Sequence, residues 1–257
     1  EMCIRDRRKN DKYFTYAQEL KEEPLVVNSQ TSFQPMYSPD GKEVAFLENR
    51  TTLRVINLKN KQVRTVLDGK YNYSYADGDQ YYQWSPDSKW FLAKYIAIGG
   101  WNNTDIVLVK ADGSGEMTNL TESGYSDANP RWVLDGKAIA YETDRFGMRS
   151  HGSWGATGDI VLMALDGDAW DKFNMTEEEA ELADKAEKDA KKDETDDKDK
   201  DKKSKKDKKK KDVKEDDHVK PLSFELDARR HRMRRLTSSS ASIGDYVLSP
   251  KGDKLYY

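Results

Sequence analysis

The sequence predicts an all-β fold: an incomplete β-propeller of four-stranded antiparallel blades, interrupted by a charged insertion that is part helix and part disorder. Two observations predict the blades. A hairpin motif recurs at near-constant spacing, and runs that are apolar on both faces stand where each blade needs an enclosed strand. A third predicts the insertion: Glu177–His218 holds 15 lysines and 18 acids.

Four segments share one grammar: "QPMYSPDGKEVAFLE" from Gln34, "YQWSPDSKWFLAKY" from Tyr82, "NPRWVLDGKAIAYET" from Asn129 and "DYVLSPKGDKLYY" from Asp245. In "SPDG" the proline presets φ for the first corner of a turn, aspartate suits the second, and glycine takes the left-handed position that follows. Such a turn joins two antiparallel strands. Ser38 and Ser85 lie 47 residues apart, and Ser85 and Val133 lie 48 apart. A β-rich period of about 45 residues is that of a four-stranded propeller blade. A β-sandwich is the alternative, and the regular spacing disfavours it.

The third strands follow in order: "LRVINL" (Leu53 to Leu58), "DIVLVKA" (Asp105 to Ala111) and "DIVLMAL" (Asp159 to Leu165). Turns such as "KADGSG" and polar outer strands such as "MTNLT" come next. The fourth repeat is out of step, because Val133 and Ser249 are 116 residues apart. The charged tract supplies most of the surplus. Thr176 and Glu179 are spaced as a capping box, with Glu181/Lys185 and Glu187/Lys191 at i,i+4, so a solvated helix to about Lys192 is expected. Beyond it, "KDETDDKDKDKKSKKDKKKKD" has nothing to bury and is expected to be disordered. "LSFELDARRHRMRRLT" then resumes the blade pattern, either completing the third visible blade or belonging to another.

The expected organisation is therefore a non-native or disordered start over 1–10, blades over 11–175, the charged insertion over 176–218 and a continuation of the propeller over 219–257. The chain ends at "KLYY", a strand just after a turn, and so few blades rarely close a ring. A fragment of a longer protein is expected.

Composition narrows the function. Outside the insertion 29 basic residues face 29 acidic ones, so no global field favours nucleic acid or an anionic membrane. The run Lys202–Lys211 is interleaved with aspartates and lacks aromatics, which fits a solvated loop. No apolar run approaches the roughly 18 residues needed to cross a bilayer. Cys3 is the single cysteine and sits in the opening "EMCIRDR", which matches nothing downstream, so neither a disulfide nor a thiolate zinc site is expected. His218 and His231 lack partners at metal spacing. Asp77, Asp79 and Asp87 lack EF-hand spacing and fit turn chemistry. Neither a metal nor a cofactor is expected.

The "SPDG-K" hairpins with "DIVLV.ADGSG…NLT" strands resemble the propellers of TolB-like and tricorn-like proteins. More specifically, the stretch from "GGWNNTDIVLVKADGSG" through "YETDRFGMRSHGSWGATGDIVLM", with "DAWDKF", the lysine-rich insert and "RRLTSSSASIGDYVLSPKGDKLYY", resembles the amino-terminal propeller of bacterial tricorn-like serine peptidases, relatives of the carboxy-terminal-processing peptidases. The resemblance covers most of the chain after about Asp11. It implies a propeller that filters or docks peptide substrates, followed in the full protein by a PDZ-like module and a serine peptidase domain. The nucleophile and base are then expected beyond Tyr257, and no catalytic residue is assigned here. Export, typically to the periplasm, is implied, with the cytoplasm as the alternative. Two rivals stay open: a non-enzymatic TolB-like propeller that binds a protein partner, and the propeller cap of a prolyl-oligopeptidase-type hydrolase.

The stretch "RSHGSWGATGD" (149 to 159) places a histidine, a serine and an aspartate among glycines, yet it is no nucleophile elbow. His151 stands where the first glycine of G-x-S-x-G belongs, no strand feeds Ser153 and no helix follows it. It is expected to be a long loop between second and third strands. In a propeller those loops share a face with the connections between blades. That face would gather Tyr71, Tyr73, Tyr75, Trp101, Arg145, Arg149, His151 and Trp154. Tyrosine, tryptophan and arginine dominate binding hot spots. The competing expectation is that these rings only pack the loops together.

Overall fold

A computed structural model describes residues 2–7, 13–16, 20–97, 100, 102–150, 155–183, 185–186 and 220–257. Three four-stranded antiparallel sheets form successive blades, so the fold is an incomplete β-propeller. The first blade runs β3 (Ser32–Tyr37), β4 (Glu43–Glu48), β5 (Thr52–Asn57) and β6 (Val63–Leu67). The second runs β7 (Tyr82–Trp84), β8 (Trp90–Tyr95), β9 (Asp105–Lys110) and β10 (Met117–Asn119). The third runs β11 (Asp127–Val133), β12 (Ala138–Thr143), β13 (Asp159–Ala164) and β14 (Met233–Arg235). A hairpin of β15 (Val247–Leu248) and β16 (Leu255–Tyr256) follows.

Each "DIVL" run is the third strand of its blade, and every residue of β13 is buried. The open question about "LSFELDARRHRMRRLT" is answered by β14, which pairs with β13 and completes the third blade across the insertion. Only three of those residues are strand. Leu226–His231 is instead a 3-10 segment. Its approach lays Phe224 against Trp90 and Trp132, with ring centroids 5.4 and 6.0 Å away, so the returning chain straps blades two and three together. Asp166 caps α1 (Gly167–Asn174) by accepting from the Ala169 amide at 2.8 Å. The capping box forms as expected: the Thr176 amide donates to Glu179 (2.8 Å) and the Glu179 amide to the Thr176 hydroxyl (3.3 Å). Residues 177–183 and 185–186 are helical, and residues 184 and 187–192 of the expected helix and the lysine run lie outside the described residues.

The opening residues differ from expectation. Met2–Arg7 form β1, paired antiparallel with β2 (Leu20–Val26). Backbone pairing asks nothing of side-chain type beyond tolerance of an extended chain, and so it needs no blade motif. Leu25 and Val26 of β2 pack against Val44, Phe46 and Ile56 of the first blade.

The "SPDG" turns hold by one hydroxyl. Ser38 donates to Asp40 (2.7 Å) and accepts from the Glu43 amide (3.0 Å), while Gly41 sits at φ 69°. Ser85 and Ser249 repeat the arrangement with Asp87 and Asp253. Blade three lacks the serine, and Leu134, Asp135 and Gly136 all take positive φ in its place.

The blades interlock by an alternation that the hairpin motif conceals. In blades one and three a proline, Pro35 or Pro130, follows a residue at positive φ, Gln34 (49°) or Asn129 (50°). A β-bulge shifts the register at each site. Proline has no N–H, so the bulge leaves carbonyls without ladder partners. Each following inner strand carries a tyrosine at the equivalent place. Tyr246 donates to the Asn129 carbonyl at 2.6 Å, with the Ala140 carbonyl at 2.7 Å. Tyr82 donates to the Gln34 carbonyl, with that of Ala45 at 3.3 Å. Both phenols are buried, which pushes their pKa values far up and keeps them as donors.

Removing the hydroxyl strands these carbonyls. Tyr246→Phe and Tyr82→Phe are each expected to lower unfolding free energy by about 1–3 kcal/mol in urea denaturation, while Tyr73→Phe, exposed, changes nothing. Equal midpoints for all three variants would show that the hydroxyls do not couple the blades.

Candidate functional site

Strand order decides which loops meet. Second-to-third-strand loops and connections between blades leave one face, while hairpin turns and third-to-fourth-strand connections leave the other. The insertion lies between β13 and β14 and so departs from the opposite face.

Arg149 organises the loop face. Its guanidinium bonds Asp144 (3.0 Å) and reaches the Asn102 carbonyl (2.9 Å) and the Asn103 side chain (2.7 Å), tying the long loop of blade three to its counterpart in blade two. Asp144 also accepts from the Ser126 amide at 2.9 Å. The long loop is itself a pinned hairpin. Thr157 donates its amide to the Met148 carbonyl (2.9 Å), Met148 donates to the Thr157 hydroxyl (2.7 Å), and Arg149 bridges Ala156. Gly147 is needed there, because a Cβ would lie 1.8 Å from the Thr157 carbonyl oxygen.

The sequence-derived residues separate into groups. Tyr71 is half-buried, its ring 6.2 Å from that of Tyr95 and its carbonyl accepting from the Ile96 amide, so it packs into the core of blades one and two. Tyr73 and Tyr75 are exposed, at 59% and 85%. Arg145 lies over Tyr125 (5.9 Å) and Phe146 (5.7 Å), and among the described residues no carboxylate pairs with it. Trp101, His151 and Trp154, together with Ser153, lie outside the described residues. Phe146 and Met148, exposed at 48% and 76%, join the same face.

Beside Arg145 a cleft of about 350 Å³ opens where blade two passes into blade three. Thr121, Ser123, Tyr141 and Thr143 line it with polar groups, Phe146, Val161 and Met233 with apolar ones, and Glu122 and Arg230 pair within its wall. Asp127, wholly buried, lies in its lining. Ser123 donates to one carboxyl oxygen at 2.6 Å, and the other has no hydrogen-bond partner among the described residues. Burial pushes this carboxyl up, against the lowering by the Ser123, Thr143 and Thr121 hydroxyls.

Asp79 holds the equivalent position in blade two and behaves oppositely. Burial alone would raise it, but hydrogen bonds from the Ala76 amide (3.0 Å), the Gln80 side chain (2.9 Å) and the Tyr75 amide (2.5 Å) hold it at about 2. Asp77 pairs with Arg50, and Asp87 accepts from Ser85 and the Leu222 amide. All three aspartates are thus engaged in turns and straps. Asp127, Glu122, Arg230 and Phe146 were not singled out from the sequence.

Blade order and repeat define the class: an incomplete β-propeller. No protein-family profile matches the chain and no curated protein matches it. Solved structures similar to it include TolB from Acinetobacter baumannii, at 19% identity and TM-score 0.40, over 60% of this chain and 34% of that one. The tricorn protease is similar at 11% identity and TM-score 0.48, over 89% of this chain and 19% of that one. Pyrococcus horikoshii acylaminoacyl peptidase is similar at 19% identity and TM-score 0.34, over 56% and 24%. The chain spans about a third or less of each. Among the described residues no helix is long and apolar enough to cross a membrane.

The two aspartates make opposite predictions. A carboxyl held near 2 stabilises the fold fully above its unfolded value of about 4, and that contribution is lost as pH falls toward 2. Asp79→Asn should therefore lower the melting temperature at pH 7 and flatten its decline between about pH 4 and 2. Asp127, pushed up, favours folding in its protonated form, a contribution lost as pH rises. Asp127→Asn should leave the melting temperature at pH 7 unchanged or higher. A large drop for Asp127→Asn would contradict the assignment of a cost to its buried charge.

Proposed function

We propose that this chain is the propeller portion of a tricorn-like serine peptidase, docking or filtering peptides for a catalytic domain carried elsewhere in the full protein, with PDZ-like and peptidase domains downstream. The observation that carries the reading is the loop face: exposed Phe146 and Met148 on the loop that Arg149 and Asp144 hold in place, and exposed Tyr73 and Tyr75 on the connection whose Tyr75 and Ala76 amides donate to Asp79. Large rigid side chains on a preorganised scaffold bind with little entropic loss. The resemblance of "RSHGSWGA" and the charged insert to the peptidase propellers supports the same reading, as does the departure of the insert from the other face. Export follows from that resemblance.

The chain alone should hydrolyse no fluorogenic peptide, because chemistry resides in another domain. It should nonetheless bind peptides, measured by fluorescence polarisation with a labelled unstructured peptide pool. Tyr75→Ala with Met148→Ala should weaken that binding by about tenfold or more without moving the melting temperature, since both side chains are exposed. Turnover that disappears when a serine of this chain is replaced would overturn the reading. Unaltered binding by the double variant would move docking off this face.

A further inference from the structure

We infer that the cleft between blades two and three is a recognition pocket for an uncharged amide, the side chain of asparagine or glutamine in a docked peptide. The inference rests on the peptide-docking reading for its biological setting, while its chemistry comes from the cleft. The second oxygen of Asp127 is an acceptor with no donor in hydrogen-bond geometry among the described residues, in a wholly buried side chain, although the Thr143 and Thr121 hydroxyls lie near enough to lower the carboxyl. A buried acceptor left unmatched is expensive, so scaffold positions are normally satisfied. Asp79, at the same place in blade two, is satisfied by three donors. The free oxygen is therefore not a requirement of the blade.

What fills the gap must donate at Asp127 and accept at the mouth, where the Arg145 guanidinium has only ring faces for partners among the described residues. The formal charges lining the cleft cancel: Asp127 and Glu122 against Arg145 and Arg230. A carboxylate would meet the Asp127 carboxyl, and an ammonium would meet two guanidinium groups. A sugar would need a bare aromatic face, but Arg145 and Arg235 already lie over Phe146 at 5.7 and 5.4 Å. A primary amide carries donor and acceptor on adjacent atoms with no net charge. About 350 Å³ is room for one side chain and its flanking backbone, at the small end of ligand pockets.

The test uses the whole chain with its aspartate carboxyls 13C-labelled and the Asp127 signal assigned through Asp127→Asn. The probes are acetamide and three blocked peptides, Ac-Ala-Gln-Ala-NHMe and its Glu and Leu counterparts. Acetamide should shift the Asp127 carboxyl resonance. The Gln peptide should bind about tenfold or more tighter than the other two, and Asp127→Asn should erase that preference while keeping a native amide spectrum. A signal unmoved by saturating acetamide would mean that water alone satisfies the oxygen, and the inference falls. Equal binding of the three peptides also sinks it but leaves peptide docking standing. A response to acetamide with no peptide binding keeps the amide site and removes the docking role. Should Asp127→Asn fail to fold, the three peptides on the wild-type chain decide alone.

Discussion

A carbonyl in a dry β-sheet must find a donor, and the two Xaa-Pro bulges of this propeller take donors away. Pro35 and Pro130 bend the inner strands of blades one and three, and the orphaned carbonyls turn toward the next blade. Tyr82 and Tyr246 answer them with buried hydroxyls. The consequence reaches beyond two hydrogen bonds. Apolar packing between sheets is tolerant of small slides, whereas a phenol reaching two fixed carbonyls is not. The lock sets the height and rotation of blade two against blade one, and of the last hairpin against blade three. Arg131 adds to it by lying 4.8 Å from the Tyr246 ring centroid while bonding the Tyr246 carbonyl and Asp245.

Once the blades are fixed, strand order does the rest. Third-strand aspartates anchor the outer strands of blades two and three: Asp105 accepts from Thr121 and Asn119, and Asp159 from Thr237, Ser240 and Arg235. These bonds place the connection after the outer strand, and in blade two that connection runs through Glu122 and Ser123 directly into Asp127. The cleft is thus built by the same device that closes the blade. Its other wall comes from the loop that Arg149 ties across to blade two. The chain leaves for the insertion from the far face, and its described return lays Phe224 against two tryptophans, with Arg229 bonding the carbonyls of Leu120 and Asn119.

Much of this was legible in the sequence. Turn chemistry at "SPDG" and doubly apolar "DIVL" runs are local signals, and local signals survive in a single chain. The blades, the third strands and the capping box at Thr176 could all be read there. The return strap could not. "LSFELDARRHRMRRLT" has the apolar and basic texture of a strand pair, yet Phe224 packs against two tryptophans and Leu226–His231 form a 3-10 segment. The bulge-and-tyrosine lock was hidden for a related reason. Its halves sit about 48 residues apart in Gln34/Tyr82 and 117 apart in Asn129/Tyr246, so neither half looks unusual alone. Tyr71 shows the limit of composition: a tyrosine beside two exposed ones is held inward by Tyr95.

The divergence of Asp79 and Asp127 separates scaffold from function within the repeat. Both sit at the entry to an inner strand, and the repeat asks only that this entry be a satisfied turn. Asp79 meets that demand and is held strongly acidic by its donors. Asp127 is more deeply buried, and burial pushes its carboxyl the other way against the lowering by nearby hydroxyls, while one of its oxygens has no hydrogen-bond partner among the described residues. Buried groups with raised pKa values concentrate where a protein binds or reacts, because folding gains nothing from them. A blade that could have copied its neighbour instead keeps an unmatched acceptor beside an arginine with no carboxylate partner among the described residues.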